Sequence, residues 1–255
     1  MATNSDKKLM NLLANHVPET VLLASWLKEN GISRDLQKYY LRSGWLEHYG
    51  FGALKRPNEN VQWVGAMYSL QRQTDLHVHA GGLTSLSLQG LTHYVRLGKE
   101  SIYLFSPQYV KLPKWFLDQE WSKQVKHVKT KILPLELGLL EYKAGALDLR
   151  ISSPERAILE CLHLTPHHFD LVECYQVFEG LSNLRPKLLQ ELLEKCESIK
   201  VKRLFLYMAT KAKHQWLPFV DQTKIGLGKG DRILVKGGVY ISQNRISIPK
   251  ELAAL

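Results

Sequence analysis

Sulfur is scarce in this chain. Its 255 residues include three cysteines, Cys161, Cys174 and Cys196. An odd, sparse set without paired spacing excludes a disulfide framework and fits a reducing compartment. No apolar run reaches the length of a membrane span. The polar N-terminal stretch lacks the apolar core of a secretion signal, so the expected location is cytoplasmic. There is no low-complexity tract and no internal repeat. The sequence also contains neither a Gly-Ser pair nor an Asp-x-Asp triplet. Nucleotidyl transfer needs a Gly-Ser loop for phosphate and spaced aspartates for metal, so that chemistry is not expected here.

Negative charge is in short supply too. There are 24 acidic residues against 34 Lys and Arg, a net charge of +10 with an isoelectric point near 9.4. Such a balance favours acidic partners, nucleic acid foremost. Residues 1–57 hold eight Lys and Arg against five Asp and Glu, a balance of +3, so +7 of the +10 falls later in the chain. The length accommodates two domains with ample core.

The most informative segment is 5–57. Leu9, Leu12, Leu13 and His16 fall on one helical face. Val21, Leu22 and Leu23 lead into Trp26 and Leu27 as a second helix, which Gly31 stops. Ser33 is suited to cap a third helix with Asp35 in its first turn. Ile32, Leu36 and Tyr40 form its inward stripe. Two helices around a glycine turn make the helix-turn-helix pattern. Residues 45–49 and 53–56, joined at Gly50-Phe51-Gly52, predict the two strands of a wing. The third helix is expected to expose Arg34, Gln37, Lys38 and Arg42. Arginine can fork onto guanine and glutamine can pair with adenine. Lys38, Lys55 and Arg56 are suited to phosphates, as is the N-terminus capped by Ser33. His48, on the first wing strand, completes the expected DNA-binding set.

Arg56-Pro57-Asn58-Glu59-Asn60 is polar and proline-bearing, and it predicts a boundary between domains at 1–57 and 61–255. Beyond it, the pattern predicts a helix over 61–73, a short strand over 76–79 and a helix over 83–94. Strands follow over 101–105, 125–133, 135–142 and 146–151. Ser152-Ser153-Pro154-Glu155 starts a helix that runs to His163. Further helices are expected over 169–181, 186–196 and 201–213, then strands over 232–235 and 245–248. The fold class is α+β: a winged helix-turn-helix domain followed by a mixed α/β domain.

Other groupings carry less chemistry. Cys161, His163, His167 and His168 resemble a zinc set, but Pro166 breaks the helix between them, and zinc wants ligands converging at fixed spacing. His77 and His79 point the same way on a strand without a third ligand. Gly226-Leu227-Gly228-Lys229-Gly230 precedes a strand rather than a helix, so a turn is expected instead of a phosphate loop. No cofactor or metal is expected. Glu141-Tyr142-Lys143, with Asp118 or Glu136 upstream, supplies the residue types of a metal-dependent nuclease. A nucleic-acid enzyme with a targeting domain is therefore the alternative to a non-enzymatic DNA-binding protein.

Six motifs in order add a resemblance. They are Ser43-Gly44-Trp45-Leu46, Gly81-Gly82-Leu83-Thr84-Ser85-Leu86 and Gln89-Gly90-Leu91-Thr92-His93-Tyr94, with Leu112-Pro113-Lys114-Trp115, Ser152-Ser153-Pro154-Glu155-Arg156-Ala157 and Val201-Lys202-Arg203-Leu204-Phe205-Leu206. Together they span most of the chain, which resembles the AbiEi family of antitoxins and transcriptional regulators in type IV toxin–antitoxin systems. The resemblance implies a winged-helix domain that binds promoter DNA and represses its own operon. It also implies a C-terminal domain that neutralises a nucleotidyltransferase-like toxin.

Overall fold

The computed structural model describes residues 4–92 and 101–255. The chain opens with α1 (Asn4–Asn15), β1 (Leu22–Leu23), α2 (Ala24–Glu29), α3 (Arg34–Arg42), β2 (Glu47–Gly50), β3 (Ala53–Lys55) and α4 (Trp63–Gln73). It continues through β4 (His79–Ala80), α5 (Gly82–Leu88), β5 (Ser101–Ser106), α6 (Lys114–Leu117), β6 (Gln124–Lys129), β7 (Leu139–Ala144) and β8 (Leu147–Ser152). Then come α7 (Pro154–Leu164), α8 (Leu171–Glu179), α9 (Pro186–Lys195), α10 (Ile199–Lys211), β9 (Arg232–Ile233), β10 (Val239–Ile241), β11 (Ile246–Ile248) and α11 (Lys250–Ala254). Helices and strands are mixed as the fold class anticipates. The helix expected over 83–94 ends at Leu88, where Gln89 caps it and Gly90 turns the chain; residues 93 and 94 of that expectation lie outside the described residues.

The described residues form two compact units. One holds the chain up to His79 with 109–124 and 141–150; the other holds 80–108, 125–140 and 151–255. The first unit thus runs past Pro57. The reason lies in Val21, Leu22 and Leu23, which are buried together. Three successive buried residues cannot share one helical face. They do not open α2 as their apolar run suggests; Leu22 and Leu23 form β1. Leu22 pairs with Leu54 and Leu23 with Ala53, giving a three-stranded antiparallel sheet in the order β1-β3-β2. The remaining backbone groups need partners, and α4 supplies them. Val21 N–H donates to Ser69 Oγ at 2.8 Å, and Leu23 N–H to Gln73 Oε1 at 2.8 Å. A Cβ at Gly65 would overlap the Glu19 carbonyl, so only glycine lets α4 approach this closely. Leu9 and Leu12 of α1 close the core with Leu27, Ile32, Tyr40, Leu46 and Leu54.

In the second unit β6, β5, β4 and β8 lie side by side, with Ala80 of β4 paired in parallel to Ile151 of β8. The largest core is built mainly from α7, α8, α9 and α10. Ser153 caps α7 by accepting from the Arg156 N–H, with Pro154 in the first turn. The cap places two buried acids. Glu155 accepts from Arg185 Nε and Nη2, both at 2.9 Å. Glu160 accepts from Arg156 Nε at 2.9 Å, Ser152 Oγ at 2.7 Å and Gly82 N–H at 2.9 Å. A Cβ at Gly81 would strike this carboxylate, so the Gly81-Gly82 and Ser152–Ala157 motifs meet as one packed assembly. Arg203, almost wholly buried, donates to the carbonyls of Leu227, Gly228, Gly230 and Arg245. It thereby holds the glycine-rich turn before the small β10-β11-β9 sheet.

Candidate nucleic-acid interface

Helix α3 begins where expected. Ser33 Oγ accepts from the Leu36 N–H at 3.3 Å, satisfying one of the first-turn donors. Gly31, at φ +81°, makes the turn from α2. Lys8 Nζ donates to the Gly31 carbonyl at 2.7 Å and ties α1 to that turn. Ser33, Arg34, Lys38 and Arg42 are exposed. Arg34, Lys38 and Arg42 lie four residues apart in turn and so form one stripe along the helix. Lys38 has a loose, solvent-exposed contact with Asp35 at 3.8 Å. Arg34 and Arg42 have no ion pair or hydrogen bond from their side chains among the described residues.

Gln37 departs from expectation. It is 6% exposed, and its Nε2 donates to the carbonyls of Ala24 at 3.0 Å and Ile32 at 2.9 Å. Gln37 stands three residues before the buried Tyr40 and shares its face, so it points into the unit and cannot reach a base. Leu36, expected inward, is half-buried and packs against the core of the first unit.

The hairpin forms between β2 and β3, with Gly50 opposite Ala53 and an irregular register at Tyr49. Gly52, at φ +74°, completes the two-residue turn. His48 is exposed on β2. Of the two phosphate candidates on the hairpin, Lys55 is engaged within it and Arg56 is only loosely paired. Lys55 Nζ lies 2.8 Å from Glu47 Oε1 and donates to the Glu59 carbonyl at 2.7 Å, with its side chain 19% exposed. Arg56 lies 3.9 Å from Glu59, which also accepts from His16 Nε2 at 3.0 Å. The hairpin thus spends Lys55 on its own architecture. Tyr49 is held from behind: its phenol donates to the Val61 carbonyl at 3.4 Å, and burial pushes its pKa up to about 12.

Of the other groupings, Glu141 lies 3.4 Å from Arg72 and shares the exposed face of β7 with Lys143. Among the described residues no three His, Cys, Asp or Glu side chains gather as a metal site.

A family model described as the N-terminal domain of the AbiEi antitoxin transcriptional regulators matches residues 5–97. A second, described as transcriptional regulator, AbiEi antitoxin, type IV TA system, matches residues 99–249. The chain belongs to the AbiEi antitoxin family. Its fold is similar to that of the RV2827C protein from Mycobacterium tuberculosis, known from a crystal structure. That match has a TM-score of 0.58 and 13% identity, and covers 96% of this chain and 92% of the other. At such identity the likeness is one of fold alone. Comparison with curated proteins finds no match. No helix among the described residues is long and apolar enough to cross a membrane.

Three exposed aromatic side chains join this surface without a sequence signal for their role. Tyr39 and Trp45 are half-exposed, and Phe51, at the hairpin tip, is 92% exposed. The Gly-Phe-Gly spacing marked the turn but not the direction of its one large side chain.

Proposed function

We propose that the first unit is a winged helix-turn-helix that binds duplex DNA in the chain's own promoter and represses its operon. In this reading α3 lies in the major groove and the β2–β3 hairpin is the wing. The observation that carries it is the Arg34–Lys38–Arg42 stripe on a capped helix followed directly by a hairpin. Arg34 and Arg42 reach base edges, Lys38 and the first-turn N–H groups meet phosphates, and His48 lies along the wing. We assign neutralisation of a nucleotidyltransferase-like toxin to the rest of the chain. Family membership and the +7 balance after residue 57 support that assignment.

The test is binding of the full chain to its own promoter fragment, compared with Arg34→Ala/Lys38→Ala/Arg42→Ala. The unaltered chain should bind with affinity that falls steeply with salt, because phosphate contacts release counterions. The triple variant should fold normally, bind poorly and derepress a promoter reporter. Equal binding by both proteins sinks the reading.

A further inference from the structure

The hairpin tip has an unusual chemistry for a wing. A wing that reads the minor groove by charge needs an available Arg or Lys. The hairpin's two cations, Lys55 and Arg56, stand at its base and not at its tip: Glu47 and the Glu59 carbonyl hold Lys55, and Arg56 lies 3.9 Å from Glu59. What the tip offers is Phe51, 92% exposed. Neither neighbour shields it, and each is glycine for a separate reason. A Cβ at Gly50 would lie 2.8 Å from the Trp115 Cβ, and Gly52 adopts φ +74°. The phenyl ring therefore projects alone from a narrow two-residue turn.

The tip is also held rigidly. Gln119 Nε2 donates to the Tyr49 carbonyl at 3.0 Å, and the Tyr49 and Trp115 rings pack with centroids 6.2 Å apart. On its other side the Gly52 carbonyl accepts from the Ala24 N–H at 3.0 Å. Ala24 in turn accepts from Gln37 of α3. Two hydrogen bonds through one residue thus set the distance from recognition helix to wing tip.

We propose that Phe51 is an apolar wedge that enters the minor groove beside the segment read by α3 and partly unstacks one base step. The inference rests on the DNA-binding reading above. An aromatic or aliphatic side chain inserted between base steps gains burial that solvent denies it, at the cost of local unstacking. A fixed offset from α3 puts the wedge at one defined step. Phe51 then contributes to site choice through the ease of unstacking that step rather than through hydrogen bonds to its bases.

The experiment uses the full chain, its promoter fragment and the variants Phe51→Ala and Phe51→Leu. The fragment carries 2-aminopurine at each successive position of the protected site, because its fluorescence rises on unstacking. One step should brighten with the unaltered chain and with Phe51→Leu, but not with Phe51→Ala. Phe51→Ala should also bind about tenfold or more weakly, the value of burying one phenyl group, with its preference among α3-contacted bases intact. Full exposure of Phe51 means that these variants leave the fold undisturbed. Unchanged affinity of Phe51→Ala, or no brightening at any position, overturns the wedge and leaves α3 binding in place. A variant that keeps DNA binding but loses toxin rescue assigns the tip to a protein partner and also overturns it. Failure of the unaltered chain to bind its promoter overturns the wedge together with the reading beneath it.

Discussion

Gln37 donates its side-chain amide to the carbonyl of Ala24, the first residue of α2, across 3.0 Å. The same amide nitrogen reaches Ile32 in the intervening turn. One buried side chain thereby fixes the angle between the two helices. Gln37→Ala should remove both bonds and leave two carbonyls without that partner, destabilising the protein by about 1–3 kcal/mol. Urea denaturation measures the change. Bound at temperatures where the fold is intact, the variant should retain the base preference of the unaltered chain. A change in base preference with unchanged stability would mean that Gln37 turns out toward DNA.

Arg34 and Lys55 should behave differently for a reason visible in their partners. Arg34 is exposed and unpaired among the described residues, whereas Lys55 bridges Glu47 and the Glu59 backbone. Arg34→Ala and Arg42→Ala should each cost about 1–3 kcal/mol of specific binding and relax preference at one position. Lys55→Ala should loosen the hairpin and leave the slope of log affinity against log salt nearly unchanged, since a lysine already paired releases few counterions. Competition binding with specific and random duplexes over a salt series separates them. A slope flattened by about one unit in Lys55→Ala would restore it as a phosphate contact.

Much of the local structure was legible, and the misses share a cause. The Ser33 and Ser153 caps could be read because capping depends on residues within one turn. The helix expected over 61–73 forms over 63–73, and the hairpin expected over 45–56 forms over 47–55, because local period and glycines decide both. The Val21–Leu23 run reads as the start of a helix yet forms a strand at Leu22–Leu23, because an unbroken apolar run fits either. Its strand pairing comes from Ala53 and Leu54, some thirty residues away in sequence. Gln37 has the residue type of a base-reading side chain, but its spacing to Tyr40 puts it inward. Lys55 looked available because its acceptors arrive from Glu47 and Glu59, and only the folded hairpin brings both to it. The motif glycines Gly81 and Gly82 gave family membership without their role, which depends on Glu160 nearly eighty residues later.

That Glu160 site carries its own expectation. Arg156 and Glu160 are both buried, and Arg156 also donates to the carbonyls of Pro134 and Leu137 at 2.7 and 2.6 Å. Removing one partner strands the other charge. Arg156→Met should cost about 3–5 kcal/mol, more than Gln37→Ala, and reduce the soluble yield of the chain. The double change Arg156→Met/Glu160→Gln should recover part of that loss, because the stranded carboxylate is gone. A double variant no more stable than Arg156→Met would show that the hydrogen bonds to Gly82 and Ser152, rather than the charge pair, dominate.

Acid should weaken the second unit through Glu155. Burial pushes this carboxyl up, but the hydrogen bonds from the Arg185 side chain and backbone outweigh it, so its pKa lies below the ordinary value. A pKa lower in the folded than in the unfolded state stabilises the fold above the unfolded value, about 4.3 for glutamate. The contribution is lost as pH falls through the lower, folded value. Stability should therefore be flat in this contribution near neutrality and decline below about pH 4.3. Glu155→Gln should be less stable at pH 7 and show a shallower acid decline. Parallel curves for the two proteins between pH 7 and 3 would remove Glu155 from the account.

The division of labour between the units can be tested without cutting the chain. Truncation at residue 61 is a poor tool, because α4 provides hydrogen bonds to Val21 and Leu23 and belongs to the first unit. The better variant is Arg34→Ala/Lys38→Ala/Arg42→Ala, which alters only exposed positions of α3. Such changes away from packed features should alter stability by no more than about 0.5 kcal/mol each. Gln37 stays, since its loss would confuse misfolding with lost contact. If repression resides in α3 and neutralisation elsewhere, this variant should lose promoter binding and still protect cells that express the toxin. Circular dichroism and a denaturation midpoint near that of the unaltered chain would show that the fold survives. A well-folded triple variant that fails to protect would make DNA binding part of neutralisation, and the assignment of the two activities to separate surfaces would fall.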